Sequence, residues 1–85
     1  MKLSHLENLA IQARVALLVG AETFDRLFAG IRFDEVDGPL LYVYAKNQDI
    51  AAEIEDDFSL QIAIVASKII GQRIELVVVT PKVLQ

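Results

Sequence analysis

The chain contains no cysteine and no tryptophan, a single histidine, and only two prolines. Without cysteine there is no disulfide framework and no thiolate metal site, which fits a reducing cytosol. With His5 alone, no imidazole pair exists for a transition metal, and Ser4, Ser59 and Ser67 have no histidine in a triad arrangement. The four glycines stand apart at the ends of elements, so no phosphate-cradling loop forms. Long hydrophobic runs are also missing: Val15–Ala21 and Leu60–Ser67 fall far short of the ~20 residues of a membrane span. Glu7 and Arg14 interrupt the N-terminal run, which argues against a secretory signal. Basic charge is scarce too, because eight Lys and Arg face twelve Asp and Glu for a net charge of −4. That field repels polyanions as a whole. No catalytic residue, cofactor site or metal site is expected, and the protein reads as non-catalytic.

What is present is apolar surface. Hydrophobic residues make up 54% of 85 residues, above the roughly 45–50% of soluble proteins. One domain of this length buries only about 60–65% of its unfolded surface, so burial by self-association would add stability. The stretch Asn47–Gly71 dominates the pattern. Ile50, Ile54 and Phe58 make one stripe in its first half, whereas Leu60 to Ile70 is apolar on nearly every side and demands cover all round. Asn47 is placed as the N-cap and Gly71 as the closing glycine. Asp56-Asp57-Phe58-Ser59 reads as a joint, with Ser59 recapping a second helical segment. Glu53, Glu55, Asp56 and Asp57 read as a solvated acidic face rather than a cation site.

The remaining elements follow from spacing. Ser4-His5-Leu6-Glu7 is a capping box, with His5 exposed inside it. Leu6, Leu9, Ala10, Ala13, Ala16 and Leu17 then recur at three- and four-residue intervals up to Gly20, while Ile11, Val15 and Leu18 sit partly off that stripe. The expectation is a helix with one face in the core and a second apolar strip left over. Ala21–Ala29 is a short helix carrying Phe24, Leu27 and Phe28. Ile31–Val36 reads as a strand with Ile31, Phe33 and Glu35 on one face. Asp37-Gly38-Pro39 turns the chain into a second strand, Leu40–Ala45, with Leu41, Val43 and Ala45 set against Tyr42 and Tyr44. Arg73–Val79 is a last, largely covered strand ended by Thr80-Pro81. The predicted architecture is α+β: a compact ααββα(α)β domain, a three-stranded sheet with helices on one face.

That outline also describes KH-type nucleic-acid modules, but Gly71-Gln72-Arg73-Ile74 lacks the second glycine of their backbone clamp. Tyr42 and Tyr44 share a strand face and, with Lys46, mark at most a weak single-stranded DNA contact.

The order of motifs resembles the N-terminal, KH-like domain of DnaA, the bacterial replication initiator. Thr23-Phe24-Asp25-Arg26-Leu27-Phe28-Ala29-Gly30-Ile31 is similar to that family's aromatic-x-x-Trp-Ile-x-Pro-Leu signature. Leu41–Asn47 is similar to its strand ending in Pro-Asn. Glu53-Ile54, Phe58, Ile62, Val65, Ile69, Gly71 and Ile74–Val79 continue the pattern without a gap. Leu27 and Glu53 stand where the family usually has tryptophans, and Lys46 replaces its proline. The resemblance covers about Phe24–Val79 and implies an adaptor of replication initiation that docks the replicative helicase or regulators and self-associates as a homodimer. Helicase-contacting positions of the family fall here on Thr23 and Asp49, and its self-association surface on helix 1 falls by pattern on Leu6, Leu9 and Leu18. Ile64 in the Leu60–Ile70 segment is a further candidate. A related KH-like domain of the helicase loader DciA is a second home. The alternatives are a small KH-like single-stranded nucleic-acid binder, or a phage- or plasmid-encoded mimic of the initiator domain. Nothing in the chain corresponds to the ATPase or duplex-binding parts of DnaA, so a fragment and a stand-alone relative are both open.

Overall fold

In a computed structural model, which describes residues 1–82, the first helix begins at the expected capping box. Ser4 Oγ accepts from the Glu7 amide at 3.0 Å, and the Ser4 amide donates to Glu7 Oε1 at 2.9 Å. Helix α1 spans His5–Val19. Helix α2 is an α-helical turn, Ala21–Thr23, that runs on into a π-helical turn, Phe24–Phe28. Strands β1 (Arg32–Asp37) and β2 (Leu40–Ala45) form an antiparallel hairpin. Its two-residue loop has Gly38 at φ +60° followed by Pro39, the φ signs of a type II′ turn. Helix α3 covers Gln48–Ile70, and β3 (Leu76–Pro81) returns parallel to β2. The sheet order is β1-β2-β3. Leu41, Val43, Ala45, Val77 and Val79 point from it into a core shared with α1 and α3. The fold is therefore the expected α+β arrangement, a mixed three-stranded sheet with helices packed against it.

Several details depart from the pattern reading. Helix α3 has no joint at Phe58-Ser59. Ile54, Phe58, Ile62, Ala66 and Ile69 continue one inward stripe at three- and four-residue steps, so nothing in the packing breaks the helix there. Nor is α3 covered all round, because Leu60 is 71% exposed and Ile64 is exposed beside it. On α1 the register is turned: the off-stripe Ile11 and Val15 are the buried residues, whereas Leu6, Leu9, Ala13 and Leu17 face outward. In β1 a bulge between Phe33 and Glu35 inserts Asp34. Phe33 and Val36 then both reach the core, and Glu35 is turned to the outer face opposite Tyr42. Strand β3 starts later than expected and keeps pairing through Thr80 and Pro81.

Residues 1–3 take part in the sheet, a feature without a sequence signal. Leu3 donates to Asp34 O at 2.8 Å, Val36 donates to Met1 O at 2.9 Å, and Lys2 bridges Glu35 antiparallel. The Asp34 carboxylate, 5% exposed, accepts from Lys2 Nζ at 2.8 Å and pairs with Arg32 Nε at 3.1 Å. The hydrogen bond to Asp34 holds the Lys2 ammonium above the ordinary lysine range. The N-terminal residues thus cover one edge of the sheet.

The opposite edge, β3, is managed differently. Leu76 and Lys82 turn their amides toward β2, donating to Pro39 O and Ala45 O. By the strand's alternation, the backbone amides of Val77 and Val79, and the amide position of Pro81, point away from β2 along the open edge. Glu55 of α3 accepts from the Val79 amide at 3.0 Å, and Pro81 has no N–H to leave unpaired. An edge protected in this way resists pairing with other chains. Glu55→Ala is expected to cost about 1–2 kcal/mol and to raise light scattering on heating, while Glu55→Gln, which keeps an acceptor, loses less. Thermal melts followed by circular dichroism and scattering read both effects.

Candidate docking surface

Three exposed apolar side chains, Leu17, Leu18 and Ile64, meet where α1 and α3 pack side by side. Val15 and Ile11 lock α1 inward, which leaves Leu17, 79% exposed, and Leu18 on its solvent side. Across from them α3 presents Ile64, and Leu60 is exposed one turn earlier on the same helix. One groove between the helices is lined by Arg14, Leu17, Leu18, Ile64 and Lys68. A second groove, of about 590 Å³, lies between α3 and β3 and includes Leu60, Ile64, Lys68, Arg73 and Leu76. Ile64 and Lys68 line both, so α3 is a ridge with a furrow on either side. Arg73 is paired to Glu75 at 3.2 Å.

Leu18 and Ile64, both expected to serve self-association, meet in the first groove. Leu6, 76% exposed, and Leu9 are exposed as well but lie on the N-terminal half of α1, outside both grooves. Leu17, Leu60 and Leu76 were not among the expected residues. Leu60 lay in a segment expected to be covered, and Leu76 joins only because β3 lies beside α3.

The other expected positions sit elsewhere. Thr23, half-buried, belongs to the α turn of α2, and Asp49, exposed, to the first turn of α3. The two elements are tied by Arg26, whose Nη1 lies 3.1 Å from Glu53 Oε2. Tyr42 and Tyr44 are half-buried on the sheet face away from the helices, opposite Glu35 and Arg32 respectively. Lys46 is exposed at the end of β2 and reaches α2. Its ammonium donates to Arg26 O at 3.0 Å and Asp25 O at 3.4 Å, over the carbonyl end of α2. Among the described residues no group of three His, Cys, Asp or Glu side chains is arranged to hold a metal ion. No described helix is long and apolar enough to cross a membrane.

Comparison with protein-family models and with curated proteins finds no match to the chain.

Proposed function

We propose that this protein is a non-catalytic docking and self-association module of bacterial replication initiation, acting in the cytoplasm. One observation carries the reading: Leu17, Leu18 and Ile64 form an exposed apolar strip across two packed helices, and Leu60, exposed as well, stands one turn before Ile64 on α3. A strip of that kind, bordered by Arg14 and Lys68, has the make-up of an interface core with a charged rim. Affinity would come from these few large side chains, and partner choice from the charges around them. The replication setting rests on the resemblance to the N-terminal domain of DnaA, whose replicative helicase or regulators are then the outside partners.

Static light scattering tests the self-association. The wild type is expected to dimerise in the micromolar range, and Leu18→Lys and Ile64→Lys to give folded monomers. A wild type that stays monomeric at high micromolar concentration refutes it. The helicase reading is tested by titrating a bacterial replicative helicase into the wild type. The single-stranded nucleic-acid alternative has Tyr42 and Tyr44 in its favour, but Lys46 is engaged on α2. Anisotropy of labelled single-stranded DNA at two salt concentrations would support it only with micromolar binding and a steep salt slope.

A further inference from the structure

The outward ridge of α3 has a charge at each end. Asp56, Leu60, Ile64 and Lys68 follow one another at four-residue steps, and all four are exposed. Such steps make one continuous ridge on a helix surface. Asp57 adds to the acidic end, and Arg14, across the groove from Lys68, adds to the basic end. None of Arg14, Asp56, Asp57 and Lys68 takes part in an ion pair among the described residues.

We infer that a second copy of this chain docks on the ridge with its own α3 running antiparallel. The inference rests on the self-association reading above and specifies its geometry. A two-fold axis crossing α3 midway between Leu60 and Ile64 also lies midway between Asp56 and Lys68. Antiparallel helices about that axis set Leu60 against the partner's Ile64 and Asp56 against the partner's Lys68, and the same pairs recur on the other side of the axis. Parallel helices would instead set aspartate on aspartate and lysine on lysine, which is repulsive at both ends. The furrows flanking the ridge receive the partner's side chains, as ridges enter grooves between packed helices. The face is thus complementary to itself in charge in one orientation only.

Two charge reversals test the arrangement, Asp56→Lys and Lys68→Asp, both at exposed positions whose folding is checked by circular dichroism. Each reversal turns two attractive contacts per dimer into two repulsive ones, so each variant alone is expected to dimerise roughly tenfold more weakly. Mixed in equal amounts, the two variants restore attraction at both contacts, and a heterodimer of near wild-type affinity should form. Sedimentation equilibrium of each variant, and of the mixture with one variant carrying a fluorophore, reads these outcomes. Variants that dimerise as tightly as the wild type overturn the antiparallel arrangement while leaving self-association through another face. Weakened variants that fail to combine on mixing overturn it as well. A wild type that is monomeric throughout removes both this arrangement and the self-association on which it rests.

Discussion

Ile11→Lys is expected to unfold the domain, whereas Leu17→Lys on the same helix leaves it folded. Ile11 is fully buried in the core, while Leu17 is 79% exposed. Replacing the isoleucine forfeits about 2–3 kcal/mol of burial and forces an ammonium into the hydrophobic core, which adds several kcal/mol. The total exceeds about 5 kcal/mol, and a domain of this size holds only about 4–13 kcal/mol altogether. Far-UV circular dichroism at 25 °C should show largely unfolded chain. At Leu17 the same change removes little buried area, so the monomer's stability should stay within about 0.5 kcal/mol, and the effect should appear in association instead. A cooperative melt of Ile11→Lys close to the wild type would show that α1 does not dock through this face.

The contrast also explains where pattern reading failed. Apolar residues nearly encircle α1, so periodicity offers two strips, and the leucine-rich one looks like the core. The strip that docks carries two polar residues, Asn8 and Gln12. Asn8 Oδ1 accepts from the Phe33 amide at 2.8 Å, and Gln12 Nε2 donates to Ile31 O at 3.2 Å. They satisfy backbone groups at the start of β1 that would otherwise be buried unpaired. A hydropathy pattern counts such residues against the face they anchor, because their partners lie far away in sequence. The bulge at Asp34 is hidden for a related reason. Its extra residue is stabilised by Lys2 and Arg32, and Lys2 comes from a segment with no strand signal.

Other features were legible because their causes are local. The capping box at Ser4, the Asn47 cap, the hairpin at Gly38-Pro39 and the alternation of β2 each depend on neighbours in sequence. So does the apolar excess of the segment after Phe58. Which part of that excess faces outward depends on how α1 and β3 flank α3, and that is a tertiary outcome. Leu18 and Ile64 were found as spare apolar positions. The groove that brings them together, and the exposure of the α3 ridge to which Ile64 belongs, came from the packing.

The second large effect is expected at Phe28. This residue closes the π-helical turn of α2 and is fully buried. Its ring stacks on Phe24 at 5.9 Å between centroids and meets Phe58 of α3 edge-on at 5.4 Å. Phe28 is therefore the buried aromatic through which a helix too short to stand alone packs on the longest helix of the fold, beside the Arg26–Glu53 pair at the surface. Phe28→Ala should cost about 3–5 kcal/mol, from lost burial and a cavity that rigid neighbours close only in part. The two aromatic contacts supply part of that sum, at about 0.5–1.5 kcal/mol each. For a chain of this length the melting temperature should fall by at least about 12 °C. Phe28→Leu, which keeps most of the volume, should lose far less. Phe24→Ala, at a half-buried position, should lie between the wild type and Phe28→Ala. If α2 were merely laid on the surface, all three variants would melt together near the wild type. A graded series instead would place the anchor of α2 at Phe28, and would tie the position of Thr23, on the same short helix, to a core contact with α3.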